Sequence, residues 1–149
     1  MSLGADRRHN GSGRNEALCA RMVRNPFMST ASGAVLVVDD DHAVRRSLQF
    51  MLELEGLRVR AFASGAALLA EKDLPQCGCL VVDQLMPGMT GIELIQALRT
   101  RGWLLPIVMI AGNVTKDLKR EARRCGAAAV VEKPLHGADL AGTIRELLK

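Results

Sequence analysis

Short, solidly apolar segments recur along this chain, and a segment with helical periodicity follows each of them. Runs of this kind that are rich in β-branched residues are typical of strands buried on both faces of a parallel sheet. The apolar runs AVLVV, CLVVD and PIVMIAG are predicted strands, RVRAF is predicted as a strand because its residues alternate, and AAVVEKP is the last predicted strand. Because the β and α segments alternate five times with short connections, we predict an α/β fold in which helices cover both faces of a parallel sheet.

Helix start and stop signals lie between the predicted strands. Gly56 ends the amphipathic segment HAVRRSLQFMLELEG, and Ser64 is a predicted N-cap for the segment SGAALLAEKDL. Thr90 and Glu93 have the spacing of a capping box, and Gly126 ends the basic segment TKDLKREARRCG. The last predicted helix is ADLAGTIRELLK.

Composition divides the chain into two parts. Residues 1–33 are polar, contain Gly and Ser, and carry five Arg against two acids, so we expect a flexible extension whose first residues, MSL, could remain from a cloning tag. Residues 34–149 are expected to form one domain. That domain carries 15 basic and 14 acidic residues. It therefore lacks the broad cationic surface expected for direct nucleic-acid binding.

The sequence also limits the expected location of the protein. No apolar run is long enough to cross a membrane, and no apolar segment near the N-terminus resembles a signal peptide. The four cysteines do not have the spacing of metal ligands. We therefore expect a cytoplasmic protein that makes no contact with membranes.

Charged residues follow three of the predicted strands. Asp39 and Asp40 end the first strand, Asp83 ends the third, and Lys133 ends the fifth. The carboxyl ends of parallel strands lie along one edge of the sheet, where ligands bind in open α/β folds. In a doubly wound sheet with strand order 2-1-3-4-5, the first and third strands are neighbours, so the three acids would meet there.

A cluster of three carboxylates has a clear chemical use. Mg²⁺ prefers oxygen ligands and would remove the repulsion between the acids. With the charge neutralised, a carboxylate could act as a nucleophile toward a phosphoryl group, and Lys133 could pair with a phosphate oxygen. The neighbouring residues have simpler predicted roles: Asp41 as the N-cap of the first helix, and His42 as a surface residue of its first turn.

Residues 34–149 resemble the receiver domain of bacterial two-component response regulators. The segments VLVVDDD, LVVDQLMPGMTG, PIVMIAG and VVEKP carry this resemblance, in the order and at the spacing of the family. The segment DDDHAVRRSLQFMLELEG is most similar to the nitrogen-fixation regulator branch, whose members usually add a DNA-binding domain and regulate transcription. The resemblance implies a flavodoxin-like sheet with five strands and five flanking helices.

The resemblance also implies roles for individual residues. Asp83 would be the phosphoacceptor, and Asp39, Asp40 and the backbone carbonyl of Leu85 would complete the Mg²⁺ site. Lys133 would pair with the phosphoryl group, and its bond to Pro134 would be cis. The donor would be a sensor histidine kinase. A second copy of the chain, forming a homodimer, or an output partner would bind the face formed by the fourth helix, the fifth strand and the last helix. Such a domain is not an enzyme beyond its own phosphotransfer and dephosphorylation.

Two positions depart from the family pattern. Receiver domains normally carry Ser or Thr at the end of the fourth strand, where this chain has Ala111. They favour Tyr or Phe three residues before the lysine, where this chain has Val130. A hydrogen bond to a charged group contributes roughly 1.5–3 kcal/mol. The sequence therefore predicts intact phosphoryl chemistry with a weakened relay to the surface.

Three other functions compete with this interpretation. The first is a pseudo-receiver, a protein-interaction module that does not depend on phosphorylation, which Ala111 and Val130 favour. The second is a phosphatase with an aspartate nucleophile, since Asp39 and Asp41 have D-x-D spacing, but Ala43 departs from that motif. The third is a flavin-binding protein of the same fold, although the chain is only 3% aromatic.

Overall fold

The computed structural model describes residues 33–148, which form one five-stranded parallel sheet with helices on both faces. The strand order is β2-β1-β3-β4-β5, which confirms the predicted fold class. The strands are β1 (Gly33–Val38), β2 (Val59–Phe62), β3 (Cys77–Asp83), β4 (Ile107–Ala111) and β5 (Ala129–Glu132). Except for Gly33, the predicted extension lies outside the described residues.

Five helices connect and follow the strands. They are α1 (His42–Leu54), α2 (Gly65–Ala70), α3 (Gly91–Thr100), α4 (Lys116–Cys125) and α5 (Gly137–Leu147). In the described part of the chain, no helix is both long enough and apolar enough to span a membrane.

The sheet separates two apolar layers, and the strand residues alternate between them. Val35 and Val37 of β1 face the layer that α1 and α5 cover, whereas Leu36 and Val38 face the layer that α2, α3 and α4 cover. The central strands β3 and β4 are buried along their whole length. Burial on both faces explains why β3 and β4 are continuous apolar runs, whereas the edge strand β2 is half-buried and includes Arg60.

The predicted capping signals are confirmed, with one difference in helix length. Thr90 and Glu93 form the capping box of α3, and Gly126 ends α4 in the left-handed conformation. Ser64 caps α2, but this helix ends at Ala70 instead of continuing to residue 74. Glu71 takes an extended conformation there and pairs with Arg60 at 3.2 Å.

The strand register brings the predicted site residues to one edge of the sheet. Val38 pairs with Val82, so the residues that follow them, Asp39 and Asp83, leave the sheet side by side. Ala111 pairs with Glu132, the residue before the predicted lysine. All the strand ends named in the sequence analysis therefore meet at the carboxyl edge.

Candidate functional site

Three carboxylates converge at the carboxyl edge between β1 and β3. Asp39 and Asp83 are buried, at 2% and 6% exposure, while Asp40 is exposed. One carboxylate oxygen from each of the three lies within 4.8 Å of the others. This is the grouping of acids that the predicted strand order requires.

The turn after β1 fixes the direction of the first acid. Asp39 Oδ1 accepts a hydrogen bond of 2.9 Å from the backbone N–H of Asp41. The carboxylate of Asp41 points away from the cluster, because its Oδ1 accepts from the N–H groups of Ala43 and Val44 at 2.9 and 3.2 Å. Asp41 is therefore the N-cap of α1, as predicted.

The acid at the end of β3 has a positive partner. Lys133 Nζ lies 3.1 Å from Asp83 Oδ2, and this ion pair joins side chains that are 32% and 8% exposed. The backbone N–H of Lys133 donates to the carbonyl of Ala111 at 2.9 Å, which fixes the lysine beside the end of β4. The bond between Lys133 and Pro134 is cis, as expected.

Burial and the neighbouring acids shift the pKa of one carboxylate in the cluster. Burial raises the pKa of Asp39, and the neighbouring charges of Asp83 and Asp40 raise it further. The hydrogen bond from the Asp41 backbone and the charge of Lys133 oppose this rise. The donor set, three hard oxygen ligands with excess negative charge, fits a hard divalent cation such as Mg²⁺.

Comparison with known proteins identifies the family of this chain. The sequence model of the response regulator receiver domain matches residues 35–145. The chain belongs to this family. The transcriptional regulatory protein FixJ of Azorhizobium caulinodans is 40% identical over 114 residues, which cover 76% of this chain and 54% of that protein. Response regulator protein TmoT of Ectopseudomonas mendocina is 35% identical over 122 residues, covering 82% of this chain and 56% of that protein.

Solved structures agree with this assignment. A crystal structure of FixJ-N has a TM-score of 0.72 at 32% identity and covers 80% of this chain and 95% of that one. The chemotaxis protein CheY4 of Vibrio cholerae has a TM-score of 0.72 at 28% identity, covering 79% and 99%. The chain spans about half the length of the curated relatives it matches.

The receiver domain holds the loop after Asp83 through a residue that sequence reasoning missed. Gln84 Oε1 accepts from the N–H of Ile92 at 3.0 Å, and the backbone of Gln84 bonds to Ile110 and Gly91. A Cβ atom at Gly91 would lie 2.9 Å from the carbonyl oxygen of Asp83. Glycine therefore lets α3 start directly against the acid-bearing strand.

Leu85 follows in the same loop. Its backbone N–H donates to Asp83 Oδ1 at 3.3 Å. The role of its carbonyl as a metal ligand stays a prediction.

The two atypical positions of the receiver domain lie where the sequence predicts. Ala111 is the last residue of β4 and is 3% exposed. Val130 lies in β5, half-buried, and packs against the apolar layer beneath α3 and α4.

Arg45 is a second residue that sequence reasoning missed. Its Nη1 donates to the backbone carbonyl of Asp39 at 2.8 Å, and its Nη2 lies 3.0 Å from His42 Nδ1. The only available signal was a basic residue in the first turns of the helix that follows the two acids.

Proposed function

We propose that this receiver domain accepts a phosphoryl group from a sensor histidine kinase on Asp83. In this proposal Mg²⁺ is held by Asp39, Asp40, Asp83 and the carbonyl of Leu85. The observation that carries the proposal is the convergence of the three carboxylates within 4.8 Å, with Lys133 Nζ 3.1 Å from Asp83. A buried carboxylate between other acids and one ammonium group suits a side chain that alternates between a free carboxylate and an acyl phosphate.

The chain's own residues account for the transfer. A carboxylate oxygen of Asp83 forms a bond to phosphorus while the bond from phosphorus to the donor imidazole nitrogen breaks, and its electron pair stays on the imidazole. Lys133 then balances negative charge on the phosphoryl oxygens. A divalent cation held by Asp39, Asp40 and Asp83 would supply positive charge that offsets the negative charge on the phosphoryl group. Attack by water on phosphorus then breaks the bond to the Asp83 oxygen, which releases inorganic phosphate and returns Asp83 to the carboxylate. The domain thus catalyses only its own phosphorylation and dephosphorylation.

A small phosphodonor tests the proposal without the cognate kinase. Incubation with acetyl phosphate and Mg²⁺ should add one acid-stable, base-labile phosphoryl group, detected by mass spectrometry of the intact protein. Asp83→Asn should abolish the modification, because an amide does not act as the nucleophile. Asp73→Asn is the matched control, since Asp73 is exposed and lies outside the acid cluster. Equal labelling of Asp83→Asn and the parent would contradict the proposal.

The response to phosphorylation is proposed to be weak. Ala111 has no hydroxyl to donate to a phosphoryl oxygen, and Val130 has no ring that could move with it. Loss of a hydrogen bond to a charged group, about 2 kcal/mol, would shift an active/inactive equilibrium more than about tenfold. Amide NMR shifts on phosphorylation should therefore stay close to the site. Ala111→Thr with Val130→Tyr should extend them over α4, β5 and α5, and large shifts there in the parent would refute a weak relay.

A pseudo-receiver is the second candidate function, and Ala111 with Val130 favour it. In that case the domain would bind protein partners irrespective of phosphorylation. A Mg²⁺ titration followed by amide NMR separates the two candidates. Shifts that centre on the three acids favour phosphoacceptance, whereas an unresponsive domain favours the pseudo-receiver.

The proposed partner surface is the face formed by α4, β5 and α5. The outer side of α4 carries five exposed cations, which are Lys116, Lys119, Arg120, Arg123 and Arg124. Within the described residues they make one ion pair, Arg120 with Asp117 at 3.9 Å, so most of this charge is uncompensated. An acidic surface of an output protein or a second copy would complement it. Lys119→Glu with Arg123→Glu should weaken such binding, and salt should weaken it in the parent.

A further inference from the structure

The guanidinium of Arg45 closes the turn that carries two of the three clustered acids. The Nη1 atom of Arg45 donates to the carbonyl of Asp39 at 2.8 Å, and the backbone N–H of Arg45 donates to the carbonyl of Asp41 at 2.9 Å. Among residues 33–148, Arg45 provides the one hydrogen bond seen at the Asp39 carbonyl. The side chain is half-buried, and its Nη2 is held at 3.0 Å from His42 Nδ1.

The peptide group that Arg45 holds lies between Asp39 and Asp40. Rotation of this peptide plane would turn the carboxylate of Asp40 relative to that of Asp39, because the two side chains leave the backbone on either side of it. Asp39 is anchored by the strand and by the N–H of Asp41, whereas the carboxylate of exposed Asp40 makes no hydrogen bond or ion pair within the described residues. The orientation of Asp40 therefore depends on the backbone that Arg45 fixes.

We propose that Arg45 is a positioning residue for the metal site: it holds the Asp39–Asp40 peptide so that both carboxylates face Asp83. The proposal rests on the function proposed above. Partners behind the first ligands orient those ligands, and their loss typically lowers metal affinity about 10–100-fold. His42 supports the arrangement by accepting from the second nitrogen of the guanidinium, which limits its rotation.

A purely electrostatic role for Arg45 predicts the opposite change in Mg²⁺ affinity when the residue is replaced. A positive charge near a cation site repels the cation, so removing the charge alone would tighten Mg²⁺ binding. Removing a positioning group would weaken binding despite the more favourable net charge. The direction of the change in affinity therefore separates the two roles without any measurement of phosphorylation.

The experiment is a Mg²⁺ titration of the full chain, in which isothermal calorimetry and amide NMR measure binding. It compares the parent with Arg45→Gln and Arg46→Gln. Arg46 is the matched control, because it is exposed, adjacent in sequence and forms no ion pair or hydrogen bond within the described residues. Arg45→Gln should bind Mg²⁺ about tenfold more weakly. Arg46→Gln should bind it equally or slightly more tightly. Equal or tighter binding by Arg45→Gln would overturn the proposal.

Arg45→Lys is the second variant and covers the case in which Arg45→Gln fails to fold. It keeps the charge and loses the two-pronged geometry, so it should bind Mg²⁺ more weakly than the parent but more tightly than Arg45→Gln. Parent-like or tighter Mg²⁺ binding by a folded Arg45→Lys would overturn the proposal, whether or not Arg45→Gln folds. If the parent itself bound no Mg²⁺, the proposed function would fail instead, so the two failures are distinguishable.

Discussion

Replacing Asp39 by Asn should stabilise the metal-free receiver domain. Asn has nearly the same shape, and its amide oxygen can still accept the hydrogen bond from the N–H of Asp41 that Asp39 Oδ1 accepts at 2.9 Å. The substitution therefore removes mainly the charge. Asp39 is 2% exposed and shares its site with two other carboxylates, so this charge is the most costly of the cluster in the absence of a cation.

The expected size of the effect follows from the separation of the oxygens. Two unit charges at the outer limit of 4.8 Å repel by about 3.5 kcal/mol at an effective dielectric constant of about 20, and by about 0.9 kcal/mol in bulk water. Lys133 lies nearby and attracts Asp39, which offsets part of the repulsion. A net gain of about 1–2 kcal/mol in the free energy of unfolding is therefore expected at neutral pH.

The gain should depend on pH with a defined sign. The pKa of Asp39 is raised in the folded state, mainly by burial, so the folded protein binds this proton more tightly than the unfolded chain does. Ionisation of Asp39 therefore costs stability. The cost is absent below the unfolded pKa of about 3.9, grows as the pH rises, and is complete above the folded pKa. The advantage of Asn should follow the same course.

Urea denaturation without divalent cations measures this advantage at a series of pH values, with Asp73→Asn as the control. Asp39→Asn should be more stable than the parent at pH 7 and equal to it near pH 3. With saturating Mg²⁺ the order should reverse, because the parent gains binding energy and the variant loses a ligand. A variant that is no more stable at pH 7, or that keeps its advantage at low pH, would refute the electrostatic reasoning.

Three further substitutions test the packing and hydrogen bonding of the domain. Gly91→Ala should lower the free energy of unfolding by about 1–3 kcal/mol, because its Cβ would lie 2.9 Å from the Asp83 carbonyl oxygen. In Gly142→Ala on α5 the new Cβ meets nothing within 4 Å, so this change should raise the free energy of unfolding by about 0.5–1 kcal/mol. Chemical denaturation measures both variants, and equal effects of the two substitutions would contradict the packing argument. Arg99→Met should destabilise the domain by about 2–3 kcal/mol in the same assay, whereas a neutral result would show that water replaces the guanidinium. Arg99 donates to three backbone carbonyls, those of Trp103, Leu105 and Gly126.

The fold and the main site were predictable because buried strands and their ends leave a strong sequence pattern. A parallel strand covered on both faces must be continuously apolar, so an acid directly after such a run marks the sheet edge. Asp39 and Asp83 carry this signal, and the strand order then brings them together. Asp41 was predictable as an N-cap because capping depends on residues close in sequence.

The contacts of Arg45 and Gln84 were not predictable in the same way. Each depends on how a flexible side chain folds back onto the backbone, which no periodicity or composition reports. A basic residue in the first turns of a helix is usually solvated. The end of α2 was misplaced because Glu71 is a good helix former, yet it leaves the helix and pairs with Arg60 across the loop.

The most direct test of the account is a crystal structure of the receiver domain grown with Mn²⁺, a Mg²⁺ analogue with a clear anomalous signal. One anomalous peak should lie between the carboxylates of Asp39, Asp40 and Asp83, about 2.0–2.2 Å from the nearest ligand oxygens. The carbonyl of Leu85 should face the same ion. A peak elsewhere, or no peak at a saturating concentration of the ion, would contradict the claim that these acids form a divalent cation site.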